Sequence, residues 1–386
     1  MRTFARKMKK DRIVFAELGT VAELSCFGDN GGRREMHVLL HVEPRGELFC
    51  GQLARIVAAE QALLALPQCI GMCVVAGRYF LSDATNQRPL IQRSDNAAIC
   101  YIQQPPLDGS KVAVWLYLMQ DVHVEKRDTL TVVQHGTYED LWLMGMTVSE
   151  GDSAAQTECL LTRYEEALSL QGATLADNCI RTWFHVRDVD TQYAGMVRAR
   201  RENFLQQGLT QQTHYISSTG IGGLPADTHA IVQLGAYAIK GLAPQQQRYL
   251  YAKSHLNSTI EYGVTFERGT VVDYADRSHL FISGTASINN RGEVVHTGDI
   301  VAQTERMWEN VETLLAEGGA TFEDVAHMIV YLRDIADYEM VREKYARRFP
   351  EVPCLFTLAP VCRPAWLIEM ECMAIRKNQN SEWDVF

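Results

Sequence analysis

Two glutamates, Glu369 and Glu371, interrupt an otherwise apolar run, Leu367-Ile368-Glu369-Met370-Glu371-Cys372-Met373-Ala374-Ile375. Strand alternation puts both acids on one face and Ile368, Met370 and Cys372 on the other. A carboxyl buried there would raise its pKa, which suits a general acid near neutral pH; an edge position with both acids solvated or paired to arginine is the alternative. Arginines form the second feature. Arg198, Arg200 and Arg201 crowd one helical stretch, and Arg363 stands six residues before Glu369. A guanidinium grips a carboxylate through two parallel hydrogen bonds, so such a set suits an anionic substrate. Arg198 and Arg201, three apart, can share a helical face and are the expected anchors, with Arg200 expected in solvent. Tyr193, early in that helix, either packs in the core or offers its hydroxyl. Thr219, Gly220 and Gly222 lie in a glycine-rich stretch that either presents hydroxyl and backbone N–H groups to a carboxylate or is a plain loop. Gly284 either leaves room for a substrate ring or marks a bulge. Cys362 reads, on composition, as a small buried hydrophobe.

Other chemistries find little support. The motifs HExxH, GxSxG and GxxxxGK[ST] are absent. Cys69 and Cys73 have no Cys/His pair at zinc-finger spacing, and His37 and His41, two turns of the pleat apart in EMHVLLHVE, have no third ligand nearby. No metal and no cofactor are expected. A net charge of −10, from 37 basic and 47 acidic residues, argues against nucleic acid or an anionic membrane as the main partner. No apolar stretch reaches the length of a membrane span, the basic start lacks the apolar core of a secretory signal, and ten dispersed cysteines suggest a reducing cytoplasm.

The elements that must position these residues repeat. Gln156-Thr157-Glu158 recurs as Gln303-Thr304-Glu305, and Gly172-Ala173-Thr174-x-x-Asp177 as Gly319-Ala320-Thr321-x-x-Asp324, both at an offset of 147. Between them Leu160, Tyr164, Ala167 and Leu168 correspond to Met307, Val311, Leu314 and Leu315, the apolar stripe of an amphipathic helix. LWLMGMTVS matches LFISGTASI upstream, and a strand and second helix follow downstream, which predicts a β-α-β-α-β unit. The first segment offers strands at EMHVLLHVE, CVVAGRYFL and VAVWLYLM around a helix from Gln52 to Leu66, so a diverged third copy is expected. The expectation is an α+β protein of three units, 1–127, 128–250 and 251–386, whose sheets pack around a common axis.

The last copy resembles the Rid/YjgF family of small trimeric enamine/imine deaminases, through SGTASI, HTGDIVAQTERMWENVETLLAEGGATFEDV, VYLRDIADY and LIEMECMAI. That resemblance implies a chorismate-mutase-like α+β fold with sites between neighbouring units. Three such units in one chain, with Arg181-Thr182-Trp183-Phe184, Thr219-Gly220-Ile221-Gly222 and Cys362-Arg363-Pro364 in that order, look like the chorismatases, pseudo-trimers that release pyruvate from chorismate. The resemblance implies Glu369 as proton donor, and Cys362 at the position where chorismatases forming 3-hydroxybenzoate carry cysteine. It also implies a small dianionic substrate held between the second and third units, no cofactor, and a monomer or weak dimer. Cys354 stands where Rid deaminases carry their substrate arginine, which counts against that reaction. A deaminase and a non-catalytic binder of a small carboxylate are the alternatives.

Overall fold

The structure, a computed structural model, describes residues 8–28 and 32–386. The first unit runs β1 (Lys9–Phe15), β2 (Thr20–Phe27), β3 (Glu35–Val42), α1 (Phe49–Leu64), β4 (Met72–Leu81), α2 (Ala84–Gln87), β5 (Ala98–Gln103) and β6 (Val112–Gln120). The second runs β7 (His123–Arg127), β8 (Leu130–His135), β9 (Tyr138–Thr147), α3 (Ser153–Leu170), α4 (Leu175–Asn178), β10 (Cys179–Val186), α5 (Val189–Gln206), β11 (Ser217–Gly222) and β12 (Val232–Lys240). The third runs β13 (Gln247–Leu250), β14 (Gly269–Asp273), β15 (Arg277–Ala286), α6 (Ile300–Glu317), β16 (Val325–Leu332), α7 (Tyr338–Arg348), β17 (Cys354–Leu358) and β18 (Ile368–Lys377).

Each unit forms one six-stranded sheet, and all three have the same order. They are β1-β2-β3-β6-β4-β5, β7-β8-β9-β12-β10-β11 and β13-β14-β15-β18-β16-β17. This is the expected α+β fold of three related units. Each unit nevertheless carries three strands that the expected β-α-β-α-β pattern lacked, a leading pair and one more after the second helix. β7 joins the second sheet and β13 the third, so the joints fall a few residues ahead of 127/128 and 250/251. The second helix of the first unit has shrunk to the single turn of α2, which is why that copy looked diverged.

Packing on both faces explains the burial of strands that alternation alone would leave half exposed. Seven of the eight residues of β3 are buried, because α1 covers one face and the other meets the neighbouring units. Along that inner axis His37 stacks on Tyr117 at 4.5 Å, Tyr117 meets Trp142 at 6.0 Å, Trp142 stacks on Tyr237 at 4.1 Å, and Tyr237 meets Phe281 at 5.6 Å. Strand registers make the three units comparable residue by residue. Tyr117 on β6 pairs with His37 and Ala76, Tyr237 on β12 with Trp142 and Arg181, and Met373 on β18 with Phe281 and His327.

The repeated glutamines serve one purpose in both copies. Gln156 accepts from Ile231 N–H at 2.7 Å and donates to His229 O at 3.1 Å; Gln303 accepts from Leu367 N–H at 2.9 Å and donates to Ala365 O at 2.9 Å. Each ties a helix to the loop that feeds the central strand, so buried backbone groups there keep their partners.

Candidate active site between the second and third units

Glu369 begins the construction. It is 4% exposed and faces a pocket lined by residues of the second and third units. Burial, then the charge of Glu371, pushes its carboxyl up to about 8, against the pull of Arg181 and Arg268. At neutral pH Glu369 therefore carries a proton it can give away. Glu371, two residues on, meets the opposite fate. Arg78 of the first unit approaches Oε1 at 3.3 Å, Arg181 reaches Oε2 at 2.8 Å, the Trp183 indole N–H donates at 3.1 Å, and the Thr219 hydroxyl donates at 2.5 Å. Burial works against its ionised form, but Arg78, Arg181 and then Thr219 outweigh it and hold Glu371 down at about 2. One strand thus carries a protonated acid and a fixed anion.

The bulge in β15 makes room for the acid. Register slips between Ile282 and Thr285, and a Cβ at Gly284 would overlap Glu369 Oε1 and come within 3.1 Å of Thr219 Cγ2. Gly284 N–H donates to Thr219 Oγ1 at 2.9 Å, so the same residue also fixes the threonine that serves Glu371. The structure thus shows the bulge at Gly284, with the room beside it taken by the Glu369 carboxyl.

Three arginines line the pocket: Arg200, Arg268 and Arg363. Arg200 is 1% exposed, with Nη1 donating to Ser218 Oγ at 3.3 Å. Arg268 donates to Asn257 O at 3.3 Å and lies over Phe266; Arg363 donates to Gly292 O at 3.3 Å and lies 4.8 Å over Trp366. The expectation for α5 is therefore corrected. Arg198 and Arg201 are exposed and line none of this pocket; the buried stripe is Met196, Arg200 and Phe204, spaced i, i+4, i+8, and it carries Arg200 inward. Tyr193 and Cys362 do line the pocket. Burial holds the Tyr193 phenol well above its ordinary pKa and pushes the Cys362 thiol up to about 12, with the Glu369 charge adding to the latter.

The glycine-rich stretch is strand β11, not a loop. A Cβ at Gly220 would come within 2.9 Å of the Tyr193 ring, so this glycine seats the tyrosine at the pocket wall. Gly222 sits outside it: its N–H donates to Pro360 O at 2.9 Å, and a Cβ would press on Pro360. Its contact fixes the segment leading to Cys362. Thr219 serves Glu371 and lies behind the pocket wall. Arg268, Arg181 and Arg78 were missed as site residues, although Arg181 stands in the Arg181-Thr182-Trp183-Phe184 stretch and Arg268 directly before β14.

The three interfaces between units are not equivalent. Counting four residues back from Tyr117, Tyr237 and Met373 along the aligned central strands gives Ala113, Gln233 and Glu369, paired with Phe80, His185 and Tyr331. Gln233 even keeps its glycine, since a Cβ at Gly145 would lie 3.5 Å from its amide. Of the three positions, only that between the second and third units holds a carboxyl.

Comparison with known proteins follows the same division. The family described as Endoribonuclease L-PSP matches residues 270–376. The 3-aminoacrylate deaminase RutC of Acinetobacter baylyi is 33% identical over 97 residues, 25% of this chain and 77% of that protein. A RutC family protein of Pyrococcus abyssi is 37% identical over 101 residues, again 25% of this chain and 79% of that protein. A crystal structure of a chorismatase aligns with 78% of this chain and 92% of its own, at a TM-score of 0.63 and 20% identity, which shows a shared three-unit fold. Covering more than three quarters of each of these two relatives, at 33% and 37% identity, this chain belongs to the RutC family.

Proposed function

We propose that the protein releases pyruvate from chorismate, or from a closely similar enolpyruvyl ether, without a cofactor. The observation that carries this reading is Glu369: a buried carboxyl held at about 8 in a pocket whose wall supplies Arg200, Arg268 and Arg363. The arginines would take the two carboxylates of a dianion, a charge that an overall acidic protein must balance locally. Glu369 would protonate the methylene carbon of the enolpyruvyl group, leaving an oxocarbenium ion and a carboxylate in the same pocket. Water adding to that ion gives a hemiketal, which collapses to pyruvate and a dihydrodiol. Capture by the neighbouring ring hydroxyl, followed by aromatisation, gives pyruvate and a hydroxybenzoate. Cys362 lies beside Glu369 as a protonated, weakly polar thiol that holds water poorly, and this favours the second route and 3-hydroxybenzoate. Likeness of fold to a chorismatase supports the reading.

A deaminase reading has one specific support, the 33% identity to the 3-aminoacrylate deaminase RutC. A protonated Glu369 could equally protonate an enamine carbon. Purified protein incubated separately with chorismate and with a 2- or 3-aminoacrylate distinguishes the two. Pyruvate with an aromatic acid from chorismate supports the first reading. Ammonia release from the enamine alone replaces it with the second, and no turnover of either leaves a binder of small carboxylates.

A further inference from the structure

A second cavity lies on the inner axis, where the three sheets meet. Its free space is only ≈ 40 Å³ and all three units line it: His37, Arg78 and Trp115 from the first, Trp142 and Arg181 from the second, and His327 and Glu371 among those from the third. Its polar groups are out of balance. Among the described residues, Trp115 Nε1, Trp142 Nε1, Arg78 Nε, both ring nitrogens of His37 and Nδ1 of His327 are buried with no hydrogen-bond partner. Trp115, Trp142, Arg78 and His37 are at most 6% exposed. Leaving such groups bare costs each its full desolvation penalty.

The guest that would satisfy them can be described. Indole and guanidinium nitrogens only donate, and a neutral imidazole offers one donor and one acceptor. His37 and His327 are held in the neutral form, chiefly by burial. Nearby acceptors are already engaged: Glu371 by two arginines, Trp183 and Thr219, and Glu35 by Tyr117, Arg277 and His279. Water would bring two more hydrogens, for which the lone-pair nitrogens of the neutral imidazoles are the acceptors left. An anion brings none. Arg78 and Arg181 against Glu371 also leave one positive charge among the lining groups. The rings are close, with His37 4.8 Å from His327 and Trp115 5.2 Å from His327, so the guest is small.

We propose that this axial cavity binds one small inorganic anion of the size and charge of chloride. Indole, imidazole and guanidinium groups from all three units line the cavity that would hold it, so it would stabilise the assembled fold by mass action. The site is separate from the Glu369 pocket, and its test needs no substrate.

Crystals grown in sodium bromide should show an anomalous peak inside the cavity, within hydrogen-bond distance of Trp115 Nε1 or Trp142 Nε1. The melting temperature should rise by a few degrees in chloride or bromide relative to gluconate at matched ionic strength. Trp115→Phe and Trp142→Phe, which keep the ring and remove the donor, should lose most of that halide-specific rise. Ordered water without an anomalous peak overturns the proposal, as does an equal melting temperature in halide and gluconate. If a tryptophan variant fails to fold, the bromide map and salt comparison on the unaltered protein decide the matter.

Discussion

Giving a proton to carbon near neutral pH requires a carboxyl whose surroundings oppose its anion, and Glu369 is placed among such surroundings by its neighbours. Glu369→Gln should retain the fold and lower pyruvate release by about 10²–10⁴, the usual worth of a general acid. The same substitution changes stability in a direction that can be worked out. Glu369 titrates near 8 when folded and near the ordinary glutamate value when unfolded. Its contribution is destabilising above pH 8, and that cost fades as pH falls towards 4.5, where both states hold the proton. Glu369→Gln should therefore raise the melting temperature more at pH 9 than at pH 5, and the parent's kcat/KM should fall as pH passes upward through about 8. Arg200→Ala should raise KM sharply while Arg201→Ala leaves kinetics near the parent's, a direct test of which face of α5 meets the substrate. Cys362→Gln should divert product towards the dihydrodiol without abolishing pyruvate, and chromatography reads the ratio; tenfold corresponds to about 1.4 kcal/mol between the two barriers. At this scale the sequence showed Glu369 because an acid in an apolar strand is conspicuous. It hid Arg200 because three arginines in four positions fit any helical phase until Met196 and Phe204 are used to set it.

Among the elements, the bulge of β15 and the glutamine of α6 do the positioning. Gly284→Ala should cut activity at least tenfold and cost about 1–3 kcal/mol, because a methyl there must displace the Glu369 carboxyl or the Thr219 methyl; a melting curve and a pyruvate assay measure both. The helices were legible from the 147-residue repeat, since their apolar stripes and Thr174 and Thr321 caps survive in both copies: each threonine hydroxyl meets the acid three residues on. The leading strands β7 and β13 were not, because His123–Arg127 and Gln247–Leu250 are short, polar edge segments whose pairing depends on partners further along the chain. α2 was unreadable for another reason: deletion leaves no periodicity to detect.

On the scale of the whole molecule, fusion allows three related interfaces to diverge. Ala113, Gln233 and Glu369 occupy matching places, so the carboxyl is confined to one interface. The first unit still takes part, through Arg78, which reaches across to Glu371. Arg78→Met should lower the unfolding free energy by about 1–3 kcal/mol, since a buried carboxylate loses one charged partner while Arg181 remains, and pyruvate release should fall although position 78 lines no part of the Glu369 pocket. Calorimetry and the chorismate assay test the two halves of that expectation.

That reach of Arg78 also bears on behaviour at low abundance. A site assembled from three separate chains falls apart when the chains are diluted below their association constants, and its output then drops faster than its concentration. Here the peptide links fix the local concentration of each contributor regardless of how many molecules share the solution. Turnover per molecule should therefore stay constant down to the most dilute samples that can be assayed, so a cell holding only a few copies would still have every copy competent.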